Sequence, residues 1–405
     1  MNRRVALLFL AVCVALVTTA ALWKKAIPGE YALTQILRTD LRIQEGVWTL
    51  SVMQVRNAIR LHVMVWSTAA ALVALWFVLP CGIRRYWRRW GFQYLMTLGC
   101  SVAIFLFFWL RGFEAPWYQI EQLMTNPSSA PIFGHRLLWV WCADVIKGLI
   151  PSVPYRTCFL LTQAVAALLA VWMMGRWSAL YVGRELQWVG QVMFALMISL
   201  TFDYYDFYDI SISFFYALCL YLLKRELYPA FVVALGLATL NHENALLLIP
   251  VAALETFSNR RRCLIVCAAA LFAHLGVRGL LQVFIPFGRQ VDWRIWSNLY
   301  DPFAEPRALL ISIASLMFWW GAAAMCWTAA DRFLRKSALL LPLLIAVTYL
   351  FGQFHEPRQF DASIPVIIGF ILSRIGSALM IRVSELNNPE VARPDSAQFL
   401  PYSHL

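Results

Sequence analysis

The segment RRRCLIVCAAALFAHLGVRGLLQVF occupies residues 260–284 and shows the pattern from which the fold follows. Three arginines precede an apolar run, and a helix needs roughly 20 such residues to cross a hydrocarbon layer of about 30 Å. Two polar side chains, His274 and Arg278, interrupt the run near its end. Apolar runs recur from residue 5 to residue 381, with arginine clusters between many of them. The pattern predicts an all-α, polytopic bundle of transmembrane helices.

The composition supports the same class of protein. Of the 405 residues, 61% are hydrophobic and only 14% are charged, and the mean hydropathy is +0.65, which excludes an ordinary soluble domain. The net charge of +12 does not indicate nucleic acid, because most of the excess lies in short connectors where membrane topology accounts for it. The sequence contains no phosphate loop and no dinucleotide-binding motif, so a soluble nucleotide cofactor is not expected. The nine cysteines lie mostly within apolar runs, so no disulfide framework is indicated.

The apolar runs predict about twelve spans. Two of them, 229–241 and 245–257, are short and flank the polar run from Asn241 to Asn244, so they either cross with tilt or form a re-entrant hairpin. Glu243 is a buried carboxylate in the re-entrant alternative and a loop tip in the other. The predicted spans are 5–22, 61–80, 93–110, 157–174, 188–202, 210–223, 229–241, 245–257, 263–283, 307–330, 337–354 and 361–381.

The basic connectors predict the orientation, because short cytoplasmic loops carry an excess of lysine and arginine. Both termini are expected in the cytoplasm, with an acidic and aromatic outer face. Residues 1–90 are predicted to form an N-terminal two-span segment with an outer loop at 24–60. Residues 91–381 are predicted to form the core, with an outer loop at 111–156. Residues 382–405 are predicted to form a disordered tail. The basic residues on the predicted cytoplasmic side are Arg3, Arg4, Arg84, Arg85, Arg88, Arg89, Arg176, Arg184, Lys224, Arg225, Arg260, Arg261, Arg262, Arg332, Arg335 and Lys336.

The outer loop at 111–156 contains the first candidate site residue. Glu114 lies three residues past Arg111 at the helix end, close to interfacial aromatic residues. After His135 and Arg136, the segment 137–150 alternates apolar and polar residues at near-helical spacing, which predicts an amphipathic helix lying in the plane of the interface. The aromatic residues of the loop are interpreted as an interfacial belt, and they are Trp117, Tyr118, Trp139 and Trp141.

Two later outer connectors are also polar. The first, 203–209, contains Asp203, Asp206 and Asp209 at a spacing of three, which on a helix end brings the carboxylates to one face. They suit a divalent cation with oxygen ligands, or they serve only to keep the loop outside, and both alternatives stay open. The second is the sequence His355-Glu356-Pro357-Arg358, in which proline restricts the backbone and presents the charged side chains from a rigid turn.

These features together resemble the integral-membrane glycosyltransferases of the C superfamily, in particular its poorly characterised bacterial members. The shared features are an acidic residue after a span, an in-plane helix, a Tyr/Asp-rich outer loop and a Glu-Pro-Arg turn near the last span. The overlap covers residues 90–381. The resemblance implies a polyprenyl-phosphate-linked sugar as donor and an active site at the outer face of the bacterial inner membrane. The aspartate typical of the first outer loop is Glu114 here.

The resemblance implies roles for individual residues. Glu114 is the expected base that takes the proton of the acceptor hydroxyl, and Asp40 of the preceding loop is the alternative. Arg358 is expected to bind the donor phosphate. On physical grounds rather than from the resemblance, His274 and Arg278, which lie four residues apart on one face of a span, are assigned to the same phosphate. The supporting residues are Tyr118, His135, Arg136, Asp206, Asp209, Glu243, His355 and Glu356.

Arg278 also has a purely structural interpretation. A charge within the membrane costs about 2.5–3.5 kcal/mol on insertion scales and usually has a partner. That partner is either the phosphate of a lipid-linked donor or an outer-loop carboxylate such as Glu243 or Asp206. The sequence leaves this choice open.

Two other functions remain open at the level of sequence. A polymerase or ligase of surface polysaccharide also uses outer-face arginines and carboxylates, although the loop at 284–306 is only modest in size. A transporter or flippase of lipid-linked substrates also carries intramembrane His and Arg and a re-entrant hairpin. We find no sequence symmetry between the two halves of the chain. In all three cases the expected partners are membrane lipids and a lipid-linked substrate.

Overall fold

The computed structural model describes residues 91–112, 136–201, 208–284, 295–296, 298, 306–352 and 357–387. The described residues are almost entirely helical and include no strand. The predicted all-helical class is therefore confirmed for this part of the chain. The N-terminal two-span segment and the part of the predicted tail beyond Asn387 lie outside the described residues. Several predicted site residues also lie outside them: Glu114, Tyr118, His135, Asp206, His355 and Glu356, together with Asp40 and Asp203.

Twelve α-helices and four 3₁₀ helices make up the described chain. Four stretches are long and apolar enough to cross a membrane: Tyr155–Val182, Arg260–Val283, Arg332–Phe351 and Gln359–Leu379. The 3₁₀ helices are Arg184–Leu186, Glu243–Leu247, Trp327–Ala329 and Pro357–Ser363. The α-helices are α1 (Phe92–Gly112), α2 (Leu138–Leu149), α3 (Tyr155–Val182), α4 (Gln187–Thr201), α5 (Asp209–Lys224), α6 (Tyr228–Asn241), α7 (Leu248–Thr256), α8 (Arg260–Phe284), α9 (Pro306–Met325), α10 (Arg332–Ser337), α11 (Leu340–Phe351) and α12 (Ile364–Asn387).

Helix α3 is the centre of the bundle and packs against α1, α2, α4, α5 and α12. Its Trp177 is fully buried and donates a 2.7 Å hydrogen bond from Nε1 to the carbonyl of Pro365 in α12. A Cβ at Gly376 of α12 would collide with the Tyr181 carbonyl, so glycine is needed where α12 crosses the end of α3. Helix α8, in contrast, is peripheral and exposes apolar side chains such as Phe272 along its length.

Ion pairs connect several helix ends at one end of the bundle, which is called the basic end below. Lys224 at the end of α5 pairs with Asp331, which caps the start of α10 by accepting from the backbone N–H of Leu334 at 2.9 Å. Lys336 Nζ lies 2.9 Å from Glu255 Oε2 at the end of α7. The start of α8 and the α5–α6 turn meet at this same end, where the pairing atoms of Arg262 and Glu226 are 3.4 Å apart.

Helices α6 and α8 run parallel, so their C-terminal parts lie together at the opposite end, here called the polar end. Near the basic end, the Arg262 guanidinium lies over the Tyr228 ring at 5.5 Å. Towards the polar end, Thr239 Oγ1 lies 3.0 Å from His274 Nδ1. The α6–α7 turn and Arg278 therefore meet at the polar end, and α8 continues for six residues beyond Arg278, about 9 Å at 1.5 Å per residue.

Several segments differ from their predicted boundaries. Helix α12 continues to Asn387, so residues 382–387 are helical and do not belong to a disordered tail. Arg176 lies inside α3 instead of in a connector, because α3 continues to Val182. The predicted span 307–330 ends as α9 at Met325 and continues as a 3₁₀ helix. The predicted segment 245–257 begins as a 3₁₀ turn and leaves only nine residues in α7. Helix α6 has 14 residues, or about 21 Å, which is less than the hydrocarbon thickness of about 30 Å.

Candidate anion-binding site at the polar end

The centre of the candidate site is an ion pair between Arg136, two residues before α2, and Glu243, just after α6. The guanidinium donates from Nε to Oε2 at 3.2 Å and from Nη2 to Oε1 at 2.6 Å. It also donates from Nη1 to the hydroxyl of Tyr208, which precedes α5. The Arg136 side chain is 9% exposed and that of Glu243 is 37% exposed, so the carboxylate retains an open face. Side chains from three separate segments thus converge.

A second arginine reaches the same carboxylate. Arg278 Nη1 lies 3.9 Å from Glu243 Oε2, and the Arg278 side chain is 19% exposed. The three groups contribute two positive charges and one negative charge, which leaves one positive charge among them. Because charge interactions are stronger near a protein surface than in bulk water, this excess favours a bound anion. A carboxylate partner was one of the two alternatives for Arg278, and the structure places Glu243 in that position.

Glu243 is suited to hold the arginines and is poorly suited to accept a proton. Burial raises the pKa of this carboxyl, but the charge of Arg136 and its hydrogen bonds to the carboxylate outweigh that effect. The pKa is therefore held well below its usual range. A carboxyl group with a lowered pKa remains ionised at neutral pH, and its carboxylate is a weak base. The role of Glu243 is therefore to position the two guanidinium groups.

A buried hydrogen-bond network fixes the backbone around the ion pair. Trp139 of α2 donates from Nε1 to Ser211 Oγ at 2.7 Å and to Asn241 Oδ1 at 3.0 Å. Ser211 Oγ also lies 2.7 Å from the carbonyl of Tyr208. The network ties together the starts of α2 and α5 and the end of α6, the same three segments that carry Arg136, Tyr208 and Glu243.

This network corrects the interpretation of Trp139 as part of an interfacial aromatic belt. Trp139 is buried, with both of its hydrogen-bond partners inside the protein. Trp141, two residues later, points to the opposite side of α2 and is exposed, which is compatible with the belt. The two rings differ because residues two apart on a helix point in nearly opposite directions.

The turn that carries Glu243 is held by its neighbours. The backbone N–H of Asn244 donates to His242 Nδ1 at 3.1 Å, and His242 is buried. Tyr216 of α5 donates from its hydroxyl to the carbonyl of Asn244 at 2.5 Å. The His242 ring packs against that of Tyr208 with 5.0 Å between ring centroids. These contacts hold Glu243 at the mouth of the site.

His274 lies one helical turn before Arg278, on the inner side of the site. His274 is 6% exposed, and its Nδ1 contacts Thr239 Oγ1 of α6. The predicted placement of His274 and Arg278 on one helix face therefore agrees with the structure. The assignment of His274 to the donor phosphate stays a prediction.

The remaining predicted residues differ in what the structure describes. Asp209 is the first residue of α5 and is buried, where the positive end of a helix dipole favours a carboxylate. The backbone of Arg358 lies in the 3₁₀ helix Pro357–Ser363, and this helix contacts α5 through a 3.0 Å hydrogen bond from Ser213 Oγ to the Asp361 carbonyl. Asp361, also buried, is a charged residue at this end that was not predicted as part of the site.

Several residues of the site were missed at the level of sequence. Tyr208, Ser211 and Thr239 are single polar residues within or beside apolar helices, and their spacing does not distinguish them from packing residues. Only Asn241 and His242 could have been identified as candidate site residues from the sequence, because they belong to the polar run between two short apolar segments. Their contacts depend on how the helices pack, which periodicity does not report.

Metal binding was predicted only as an alternative for the aspartates at 203–209. Among the residues that the structure describes, no group of three or more His, Cys, Asp or Glu side chains is placed to hold a metal ion. Asp203 and Asp206 are outside that part of the chain, so the alternative remains a prediction.

Comparison of the sequence with protein-family models, curated proteins and solved structures gives no match. Function is therefore inferred from the chemistry of the site. Guanidinium groups bind phosphate oxygens with paired, planar hydrogen bonds, and two of them meet here at a partly exposed surface. The chemistry that this arrangement supports best is recognition of a phosphate-like anion.

Proposed function

We propose that this chain is a multi-pass protein of the bacterial inner membrane that transfers a sugar from a polyprenyl-phosphate donor to an acceptor hydroxyl. The observation that carries the proposal is the Arg136–Glu243–Arg278 cluster, with its excess positive charge at the polar end. The linking phosphate of a lipid-linked sugar is an anion held near the membrane interface, where such a cluster can meet it.

The proposed topology has about twelve spans, with both termini and the basic end in the cytoplasm. Arg184, Lys224, Arg262 and Lys336 are among the basic residues at that end, as expected for cytoplasmic connectors. The polar end then faces outward. Helices α6 and α7 are both shorter than a full span, so they either cross with local thinning of the bilayer or form a re-entrant hairpin, and both alternatives return the chain to the basic end.

Helix α2 is proposed to lie in the plane of the outer interface. Trp141, Val145 and Leu149 repeat every fourth residue and are 41%, 61% and 77% exposed, which forms an apolar outer stripe. The opposite face buries Trp139 and Ala143 against the bundle. An apolar stripe on a helix that also carries polar groups is typical of a helix resting on lipid.

In the proposed reaction, Glu114 accepts the proton and two arginines bind the leaving phosphate. The acceptor O–H bond breaks as its proton passes to Glu114, and the oxygen forms a bond to the anomeric carbon of the sugar. The bond between that carbon and the phosphate oxygen breaks, and the lipid phosphate leaves with the electron pair. Arg278 and Arg358 stabilise the charge on the departing phosphate. Glu243 is not assigned as the base, because its pair with Arg136 lowers the pKa of its carboxyl and makes the carboxylate a weak base.

Transfer of radiolabelled sugar in proteoliposomes supplied with polyprenyl-phosphate sugars tests this function. The wild type is expected to transfer label, and Glu114→Gln is expected to lose about a hundred- to ten-thousand-fold in rate, the usual contribution of a general base. Arg358→Ala should also be strongly impaired. Glu226→Gln is the matched control, because Glu226 is an exposed glutamate at the basic end.

Equal insertion of all variants must be shown by the yield of monodisperse protein. Absence of transfer from every donor by the wild type, or full activity in both Glu114→Gln and Arg358→Ala, would refute the proposed function. The first result would favour a transporter or polymerase, and substrate uptake would then be measured.

A further inference from the structure

The hydrogen bonds of His274 define which ring nitrogen carries the proton. Thr239 Oγ1 lies 2.8 Å from the carbonyl of Leu235 and 3.0 Å from His274 Nδ1. A hydroxyl has one proton, and a carbonyl only accepts. If the hydroxyl proton pointed to His274, two acceptor oxygens would face each other at 2.8 Å. The favoured arrangement has Thr239 donating to Leu235, so His274 donates from Nδ1 and its Nε2 carries the lone pair.

The hydrogen bonds of His242 define the opposite tautomer. The backbone N–H of Asn244 donates to His242 Nδ1 at 3.1 Å, and a backbone N–H is always a donor. His242 Nδ1 must therefore carry the lone pair, and the ring proton lies on Nε2. The two histidines flank Glu243 in different states, His274 with a free lone pair on Nε2 and His242 with its Nδ1 lone pair already used.

This difference decides which histidine can gain a proton. Protonation of His242 would place an N–H of the ring against the N–H of Asn244 and break the contact that holds the turn. Protonation of His274 at Nε2 leaves its bond to Thr239 unchanged, because Nδ1 donates in both the neutral and the charged ring. His274 is thus the histidine of this pair that can change charge in place.

Two charged groups face His274. Burial of the ring and Arg278, four residues later on α8, oppose a positive ring, and Glu243 on the α6–α7 turn favours one. Helix α6, which packs along α8, contributes the uncharged Thr239 and no charged side chain. Helix α7 also packs on α8, but its Glu255 lies at the basic end and pairs with Lys336. The charge of His274 therefore depends on the balance within the candidate site.

We propose that the site binds its anion together with one proton, which is taken up by His274. This inference rests on the proposed function, in which the ligand is a phosphate diester. An anion bound at Arg278 adds negative charge within one helical turn of His274 and offsets the repulsion from Arg278. Since linkage is reciprocal, a protonated His274 must in turn tighten binding of the anion.

Sulfate is a suitable probe, because it resembles the phosphate group and does not itself titrate near neutral pH. Calorimetric titration of the detergent-purified full chain should show sulfate affinity falling with rising pH, by up to about tenfold per pH unit where one proton is taken up with each anion. Titrations in buffers with different ionisation enthalpies should give uptake of about one proton per anion over that same range of pH.

Two variants isolate the role of His274. His274→Asn keeps a donor that can reach Thr239 but removes the titrating group, so its sulfate affinity should be independent of pH and equal to that of the wild type at high pH. His242→Asn keeps an acceptor for the Asn244 N–H and should retain the wild-type pH dependence. Sulfate binding by the wild type with no pH dependence and no proton uptake would overturn the inference while leaving the anion site intact. Absence of sulfate binding would instead contradict the anion site itself.

Nitrogen NMR of the histidine-labelled wild type gives a second test that does not require a stable His274 variant. The spectrum should contain one buried histidine protonated only at Nδ1, and Thr239→Val should shift that signal and leave the others unchanged. If the signal that responds to Thr239→Val belongs to a ring protonated only at Nε2, the inference is wrong.

Discussion

Replacement of Arg278 by glutamine is expected to lower the rate of sugar transfer by about a hundred- to a thousand-fold, the usual cost of removing one donor that stabilises a developing anion. Arg278 is the most exposed cation of the cluster, and its Nη1 lies 3.9 Å from the carboxylate that it shares with Arg136. Glutamine keeps much of the length and polarity of the side chain but loses the charge. The expected loss is therefore in the rate constant for transfer, with the protein remaining folded.

Helix α8 itself contains the matched control for this prediction. Arg262 lies on the same helix at the basic end, where its 3.4 Å pair with Glu226 is exposed. Exposed pairs contribute only about 0–1 kcal/mol, so Arg262→Gln should leave transfer close to the wild-type rate. Transfer would be measured for both variants in the same proteoliposome preparation. Equal activity of Arg278→Gln and Arg262→Gln would remove Arg278 from the site.

Replacement of Arg136 by glutamine is expected to destabilise the fold. Removing one partner of a buried ion pair typically costs about 3–5 kcal/mol, because the other charge is left without compensation. Glu243 is 37% exposed, so water replaces part of the lost interaction, and the expected loss lies at the lower end, near 3 kcal/mol. The loss should appear in the free energy of unfolding measured in mixed micelles.

The double variant Arg136→Gln/Glu243→Gln separates this effect from a loss of packing. Each single variant already removes the Arg136–Glu243 pair, so the loss of stability in the double variant should be smaller than the sum of the two single losses, although Arg278 then lacks its carboxylate partner. The pair Arg262→Gln/Glu226→Gln provides the exposed comparison, with a coupling of about 0–1 kcal/mol. If Arg136 and Glu243 contribute additively, with no coupling between them, the ion pair does not hold the site together.

The fold class could be predicted from the sequence because it depends on local properties. Apolar runs define helices by their own composition, and the predicted span 263–283 corresponds to α8, Arg260–Phe284. Arginine clusters mark helix ends in the same local way. The 3₁₀ turn at Glu243–Leu247 could not be predicted in the same way, because its backbone conformation depends on contacts with His242 and Tyr216.

The site was predicted only in part because its contacts join distant segments. Arg136 and Glu243 were separately identified as charged residues near the outer face, but they are 107 positions apart, and no local pattern pairs them. The hydrogen bonds of Trp139 depend on α2 crossing α5 and α6, so the sequence indicated only an interfacial aromatic residue. For Arg278, an intramembrane charge requires a partner on energetic grounds, and Glu243 was one of the alternatives considered.

Photolabelling tests the central claim most directly. A photoreactive polyprenyl-phosphate probe would be crosslinked to the wild type in proteoliposomes, and the labelled peptides would be identified by mass spectrometry. The account predicts labels around Arg136, Glu243 and the end of α8, competed by unlabelled donor and strongly reduced in Arg278→Gln. Labels confined to the basic end, or labelling at the polar end that neither donor nor Arg278→Gln reduces, would contradict the claim that this cluster binds a lipid-linked phosphate.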